Sequence, residues 1–124
     1  RNALFESFDS SPIGLRNHVI AELLYTSAIR PEQICNLRFG DYKPEHRIFE
    51  TPKRQLIIVS EYGLPRLLAH IEAMKKNRRA RRQAHMFLGT NGKPLSPTRI
   101  SQFLKRHGRL AGLRKVVGLR TLRH

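Results

Sequence analysis

Between Leu23 and Tyr42, an apolar run ends at an arginine, a proline follows directly, and a short second apolar pattern comes after it. A residue before proline is steered away from helical backbone angles, whereas proline itself suits the first turn of a new helix. We therefore predict that Arg30 lies at a corner between two helices, beside the free N–H groups of the second helix. Such a corner suits an anion such as phosphate. An ordinary helical hairpin with a solvated arginine would give the same pattern.

Hydrophobic periodicity predicts the elements around this corner. Apolar residues at four-residue steps from 15 to 24 predict a helix that ends near Ala28, and a short second helix should run from Pro31 to about Leu37. Helical spacing returns at residues 62–76. Ser96 and Pro97 start a further helix that Gly112 ends, and another helix begins in the last residues.

The period changes between residues 46 and 60, where two β-rich runs flank the turn Thr51-Pro52-Lys53. This pattern predicts an antiparallel hairpin with Lys53 at its tip or at the start of its second strand. The apolar residues 86–88 can form one more short strand. The predicted fold is therefore α+β and mainly helical, with helices around a small antiparallel three-stranded sheet.

The composition is that of one globular domain covering residues 1–124, with 40% hydrophobic and 27% charged residues. The apolar runs are too short to span a bilayer, and no signal peptide opens the chain. A single cysteine, Cys35, indicates a reducing compartment, so we expect a cytoplasmic protein. Because Arg1 is not an initiator methionine, we interpret the chain as a fragment of a longer protein.

The positive charge lies entirely in the second part of the chain. Residues 1–72 contain nine Lys or Arg and all nine Asp or Glu, whereas residues 73–124 contain fifteen Lys or Arg and no acid, which accounts for the net charge of +15. This asymmetry favours a polyanionic partner, most simply nucleic acid. A basic RNA-binding protein would have the same composition, and an anionic membrane is less favoured because no basic amphipathic helix has a broad apolar face.

The sequence offers little support for a metal or cofactor. None of the six histidines forms a pair at ligand spacing, and one cysteine cannot make a cluster. Carboxylates are absent after Glu72, and the chain has no phosphate-binding loop of the nucleotide triphosphatases. We therefore expect neither a metal nor a cofactor.

Cations at special backbone positions remain as candidates for chemistry: Arg30, Lys53, Arg120, Arg123 and His124. Cleavage of a phosphodiester without a metal needs such a set, because guanidinium groups bind the charged oxygens and a lysine or histidine donates a proton to the leaving oxygen. Any strongly basic protein also contains such residues by chance, and composition alone favours that reading.

Three motifs resemble those of the tyrosine recombinases, the phage integrase family. TSAIRPEQICNLRFGDY is similar to the first arginine motif, with Arg30, Leu37, Arg38, Phe39 and Asp41 in step. Lys53 in PKRQLIIV resembles the hairpin lysine of the family. FLGTNGKPLSPTRISQFLKRHGRLAGL and LRTLRH resemble the segment that precedes the second arginine box and the box itself. The three motifs occur in the family's order and cover nearly the whole chain.

The resemblance implies that a tyrosine attacks a DNA phosphate to form a 3′-phosphotyrosine link, without metal or ATP. Arg30 and Arg123 would bind the phosphate oxygens, Lys53 would be the general acid, and Arg120 and His124 would assist. The nucleophilic tyrosine would lie outside this chain, and the full protein would carry an N-terminal DNA-binding domain and act as a homotetramer on double-stranded DNA in a prokaryotic or phage setting, associated with the nucleoid. The fragment itself should be inactive.

Among the cations of the basic second part of the chain, we predict DNA contacts for Arg99, Lys105, Arg106, Lys75, Lys76, Arg78 and Arg79. Those between residues 75 and 82 form a dense basic run that also fits a solvated loop.

Two positions depart from the family pattern. Arg120 stands where histidine is usual and cannot act as a general base, and Gln33 stands where glutamate is usual. These departures keep open a catalytically silent DNA-binding module derived from a recombinase.

Overall fold

The computed structural model describes residues 8–9, 11–27, 29–76 and 84–110, with side chains up to residue 107. Its helices are α1 (Pro12–Thr26), α2 (Pro31–Cys35), α3 (Leu64–Lys76) and α4 (Pro97–Leu110), with one 3-10 turn at Phe39–Asp41. Its strands are β1 (Tyr42–Lys43), β2 (Ile48–Glu50) and β3 (Leu56–Ile58). The helices lie close to their predicted positions, whereas the predicted stop at Gly112 and the final helix fall outside the described residues.

Local sequence explains where the first helix starts and stops. The Ser11 hydroxyl accepts a hydrogen bond from the Gly14 N–H at 3.0 Å, and Pro12 occupies the first turn, where its missing N–H is not needed. At the other end, the Ser27 N–H still donates to the Leu23 carbonyl at 3.0 Å, but Ser27 itself is extended. The chain therefore leaves α1 shortly before the corner at Arg30.

The predicted hairpin is confirmed, but the predicted third strand is wrong. The sheet has the antiparallel order β1-β2-β3, and its third strand is Tyr42–Lys43 rather than residues 86–88. The 86–88 segment forms no continuous β-ladder because its N–H and C=O groups bond to two different parts of the chain. The Met86 N–H donates to the Leu37 carbonyl at 2.7 Å, and the Leu95 N–H donates to the Phe87 carbonyl at 3.1 Å.

The core lies between the inner face of the sheet and the helices, and α1 contacts both α3 and α4. The largest fully buried side chains come from every helix and from both long strands: Phe49, Phe87, Ile20, Leu24, Ile34, Leu37, Ile57, Leu67, Met86, Ile100 and Leu104. Met86 and Phe87, which do not belong to a β-strand, therefore pack in the core. No helix in the described ranges is long and apolar enough to cross a membrane.

Strand β3 gives a direct test of this packing. Ile57 is fully buried and paired with Phe49, whereas its neighbour Ile58 is 68% exposed. We expect Ile57→Ala to lower the free energy of unfolding by about 2–5 kcal/mol, because the lost methyl groups leave a cavity. Ile58→Ala should change it by less than about 0.5 kcal/mol. Urea unfolding of the two variants measures the difference, and similar losses would contradict the register.

His70 makes the stability depend on pH. It is buried, its Nε2–H donates to the Met86 carbonyl at 2.8 Å, and its ring lies 5.2 Å from that of Phe87. Burial lowers the pKa of His70, with the Met86 hydrogen bond acting in the opposite direction. In the unfolded chain His70 therefore binds a proton near pH 6.5, the ordinary pKa of histidine. In the folded protein His70 is still neutral at that pH.

Stability should consequently fall as the pH drops below about 6.5. His70→Gln, which keeps a donor for the Met86 carbonyl but does not titrate, should flatten this dependence. Part of the slope should persist because burial also lowers the pKa of His85. Urea midpoints between pH 8 and pH 5 measure both slopes, and equal slopes in the variant and the wild type would contradict the assignment to His70.

Candidate functional site

Arg30 lies at the corner that its position before proline predicts. Its backbone is extended, with φ −95° and ψ 154°, and it is the residue that precedes α2. The neighbouring Ile29 and Ile34 are 3% and 0% exposed, whereas Arg30 itself is exposed. The corner is therefore anchored in the core on both sides while the arginine remains on the surface.

Gln33 closes this corner. Its Oε1 accepts a hydrogen bond from the Arg30 N–H at 2.6 Å, and the Gln33 N–H donates back to the Arg30 carbonyl at 3.0 Å. A glutamine or a glutamate at this position can accept from the N–H that precedes a helix. The replacement of the family's carboxylate by an amide therefore keeps this hydrogen bond and removes only the charge.

Lys53 lies in the loop between β2 and β3, as predicted, and is exposed. Thr51 closes the loop: its N–H donates to the Gln55 carbonyl at 3.0 Å, and its hydroxyl accepts from the Gln55 N–H at 3.1 Å. Arg54 has a positive φ of 63°, as is common for the last residue of a three-residue hairpin loop. Lys53 is thus held at the tip of a short, internally bonded loop.

Two contacts join the Arg30 corner to the Lys53 loop and its strand. The Gln33 Nε2 donates to the Gln55 Oε1 at 2.7 Å, and the Ser27 hydroxyl donates a longer bond to the Ile58 carbonyl at 3.4 Å. Because Gln55 follows Lys53 by only two residues, the first contact connects the two cationic positions through side chains. The structure therefore brings the elements carrying Arg30 and Lys53 together.

Neither cation is neutralised within the described part of the chain. Arg30 and Lys53 form no ion pair there. An exposed cation without a carboxylate partner is available to an external anion, as a phosphate clamp requires. The described residues also contain no group of three or more His, Cys, Asp or Glu side chains that could hold a metal.

Other predicted residues cannot be placed or lie apart from the corner. Arg120, Arg123, His124, Arg78 and Arg79 fall outside the described residues. Lys75 and Lys76 end α3, where both are exposed and Lys75 pairs with Glu72 at 3.7 Å. An exposed ion pair of this kind contributes little to stability, and it does not prevent either lysine from contacting a polyanion.

Arg99, Lys105 and Arg106 are exposed on α4, and two of them line an open cleft. This α1–α4 cleft has a volume of about 630 Å³ and lies between α1, the loop after residue 88 and the first turns of α4. Its cationic lining residues are Arg16, Lys93, Arg99 and Arg106, and no acid is among the described residues that line it. Arg99 and Arg106 share one helix face because they are seven residues apart.

Arg16 forms the inner wall of the α1–α4 cleft. Its guanidinium donates to the Leu88 carbonyl at 2.9 Å and to the Asn17 side-chain oxygen at 2.8 Å. Burial, followed by repulsion from Arg99, lowers the pKa of Arg16 from its ordinary value, which still leaves the group charged. The cleft is therefore a place where positive charges are held near one another.

Neither Tyr42 nor Cys35 is activated as a nucleophile. Tyr42 packs against Phe49 with ring centroids 5.2 Å apart, and burial raises its pKa. Burial also raises the pKa of the Cys35 thiol to about 11, so the thiol stays protonated at neutral pH. Tyr25 and Tyr62 are 46% and 54% exposed and lie on α1 and just before α3.

Sequence reasoning missed two residues of this surface. Gln55 is one of them, because its contact with Gln33 spans 22 positions, which no local pattern reveals. Arg16 was overlooked because it interrupts an apolar helix. A charged residue within such a helix, between Leu15 and the buried Asn17, is itself a signal that the chain provides a specific acceptor.

The family model that matches residues 1–124 is that of the phage integrase family. The chain belongs to this family. It is 29% identical over 127 residues to tyrosine recombinase XerC 2 of Ralstonia nicotianae, covering 98% of this chain and 36% of that protein.

Two further comparisons agree. Tyrosine recombinase XerD of Listeria innocua is 28% identical, over 98% of this chain and 43% of that protein. The crystal structure of XerA recombinase matches with a TM-score of 0.83 at 21% identity, over 98% of this chain and 43% of that one. This likeness confirms the predicted fold. The chain spans less than half the length of these relatives.

Proposed function

We propose that the protein containing this chain is a site-specific tyrosine recombinase, which cleaves and rejoins DNA through a 3′-phosphotyrosine intermediate. The observation that carries the proposal is the hydrogen-bonded junction between the exposed Arg30 corner and the exposed Lys53 loop, in a chain that belongs to the phage integrase family. Two unpaired cations on neighbouring elements are suited to a single phosphate.

In the proposed reaction, the tyrosine hydroxyl releases its proton to solvent, its oxygen attacks phosphorus, and the bond from phosphorus to the 5′ oxygen of the DNA breaks. Arg30 binds the non-bridging oxygens, on which negative charge accumulates in the transition state. Lys53 donates its proton to the leaving 5′ oxygen, so that a hydroxyl is released. The phosphotyrosine bond keeps the energy of the phosphodiester, and a 5′ hydroxyl attacks it to rejoin a strand without ATP.

The residues of the second arginine box complete this proposal. Arg123 is the second phosphate-binding arginine, and His124 supports it. Arg120 binds phosphate as well, because a guanidinium cannot accept a proton at neutral pH and so cannot be the general base that histidine provides at this position in the family.

We propose that the nucleophile comes from a segment outside these 124 residues. The packing of Tyr42 against Phe49 and the raised pKa of Tyr42 argue against its use as a nucleophile. The chain is then the core of a catalytic domain, to which an N-terminal DNA-binding domain and a C-terminal tyrosine segment are added. On its own, this core should bind DNA without cleaving it.

The partner in this proposal is double-stranded DNA in the cytoplasm, associated with the nucleoid, with four copies of the full protein assembled on paired sites. Arg99 and Arg106 of the α1–α4 cleft and the nearby Lys105 supply contacts to backbone phosphates, together with Lys75, Lys76, Arg78 and Arg79. The absence of acids from residues 73–124 supports this assignment, since nothing in that part of the chain repels a polyanion.

A catalytically silent DNA-binding module is the second candidate, and two residues favour it. Arg120 removes a possible proton acceptor, and Gln33 removes a carboxylate beside Arg30. Against the second point, Gln33 keeps the hydrogen bond to the Arg30 N–H. A basic RNA-binding protein is supported by charge alone.

The covalent intermediate tests the first candidate. Incubated with nicked substrate DNA, the full-length protein should form a covalent protein–DNA adduct, and Arg30→Ala should reduce its rate of formation by about 10²-fold or more, because one phosphate-binding group is lost from the transition state. Arg66→Ala, which removes an exposed arginine on α3, is the matched control and should leave the rate unchanged. Denaturing gel electrophoresis measures the adduct.

An adduct that persists at full rate in Arg30→Ala would contradict the catalytic role of this residue. No adduct with the wild-type protein on a verified target site would favour the silent module.

The salt dependence of binding tests the α1–α4 cleft. Each phosphate contact makes the slope of log affinity against log salt on duplex DNA more negative by about 0.9. The double variant Arg99→Ala/Arg106→Ala should therefore make the slope less negative by about 2, whereas Arg47→Ala/Arg66→Ala, which removes the same charge elsewhere, should leave it unchanged. Fluorescence anisotropy between 50 and 300 mM salt measures this.

Equal slopes in the two double variants would contradict DNA contacts in the cleft. The same titration with duplex RNA completes the test, because tighter binding of RNA than of DNA would count against both recombinase-derived candidates.

A further inference from the structure

Two side-chain amides lie between the two cations of the proposed site. Gln33 bonds to the Arg30 N–H at 2.6 Å with its oxygen and to Gln55 at 2.7 Å with its nitrogen. Both glutamines are only partly exposed. The proposed reaction gives neither of them a role.

The orientation of both amides is determined. A backbone N–H can only donate, so the Gln33 atom facing Arg30 is its oxygen and the atom facing Gln55 is its nitrogen. Because that nitrogen donates, Gln55 must present its own oxygen. The two glutamines therefore form one directional chain of hydrogen bonds that starts at the Arg30 backbone.

This chain ends in the loop that carries Lys53. The Gln55 backbone is bonded to Thr51 in both directions, at 3.0 Å and 3.1 Å, and Lys53 lies between these two residues. A shift of Gln55 must therefore move the loop closure and with it the base of the Lys53 side chain. Arg30 is less dependent on this contact, because the buried Ile29 and Ile34 hold its backbone.

We propose that Gln33 and Gln55 are positioning residues, which fix Lys53 relative to Arg30 so that the arginine binds the phosphate while the lysine protonates the leaving 5′ oxygen. The inference rests on the proposed function. A displacement of about 1 Å in such a site can reduce a rate by about 10²-fold, and general acid catalysis itself contributes about 10²- to 10⁴-fold. The loss caused by breaking the amide pair should therefore fall on proton donation.

A change of leaving group separates proton donation from the rest of the reaction. In a DNA substrate whose leaving 5′ oxygen is replaced by sulfur, the departing group is a thiolate. A thiol has a pKa of about 8.5, far below that of an alcohol, so its departure does not need a general acid. A defect in Lys53 positioning should disappear with this substrate, whereas a defect in folding or in phosphate binding should remain.

The experiment measures single-turnover cleavage by the full-length protein on matched oxygen and sulfur substrates. Gln55→Leu, which keeps the side-chain size but removes the acceptor, should slow cleavage of the oxygen substrate by about 10- to 100-fold and that of the sulfur substrate by less than about threefold. Leu56→Ala is the matched control, since Leu56 is the next residue and is 60% exposed. It should leave both rates unchanged.

The two glutamines should also act as one unit. If their effect passes through their mutual hydrogen bond, Gln33→Leu/Gln55→Leu should be no more than about twofold slower than Gln33→Leu on the oxygen substrate. If the fold reduction in cleavage rate of the double variant equals the product of the two single reductions, the proposed pairing is wrong.

Lys53→Ala distinguishes the possible failures. It should be slow on the oxygen substrate and fast on the sulfur substrate. If it is not, the general-acid role of Lys53 in the proposed function is wrong, and the positioning role fails with it. Lys53→Ala can also behave as expected while Gln55→Leu cleaves at the wild-type rate, or is slowed equally on both substrates. In that case the proposed function stands and only the positioning role is overturned.

Discussion

The steric conflict between proline and the residue before it determines most of this structure. Pro31 keeps Arg30 extended, so α1 and α2 cannot merge into one helix and the chain must turn. Ile29 and Ile34 fix the turn because both are buried, one before it and one after it. Arg30 lies between these two buried residues and is itself exposed, so the packing that stabilises the core also holds the arginine at the surface.

The second arrangement that matters is the placement of cations relative to acids. The acids all lie in the first 72 residues, and one of them, Asp41, caps the backbone after the corner: its carboxylate accepts from the Arg38 N–H at 3.0 Å. Near Arg30 the corresponding acceptor is the Gln33 amide. The backbone is thus satisfied at both places, but only the first carries a negative charge. The positive potential around Arg30 is consequently not reduced by its own cap.

Features set by neighbouring residues could be predicted from sequence, and features set by distant contacts could not. The corner at Arg30, the hairpin around Lys53 and the start of α4 at Pro97 depend on proline and on short apolar patterns, and all three occur as expected. The third strand was predicted at 86–88 because a short apolar run is typical both of a strand and of a core segment outside the sheet. Only the partners of its backbone, Leu37 and Leu95, show that it packs as a core segment instead.

The site divides in the same way. Arg30 and Lys53 could be chosen because each sits in a recognisable local motif, whereas Gln55 is significant only through its contact with Gln33 across the fold. Arg16 was missed for a related reason: its acceptor, the Leu88 carbonyl, lies 72 positions away. Residues that hold other residues in place carry few local sequence signals, because their role depends on a partner that is distant in the sequence.

The amide pair has a consequence for the conditions under which the corner keeps its shape. A glutamate at position 33 would lose charge in mild acid, and its bond to the Arg30 N–H would weaken as the carboxylate became a carboxylic acid. Neither Gln33 nor Gln55 can gain or lose a proton at any pH at which the protein is folded. The connection between the arginine and the lysine loop is therefore insensitive to acidity, because in this chain the bridge is neutral and its geometry does not depend on a charge.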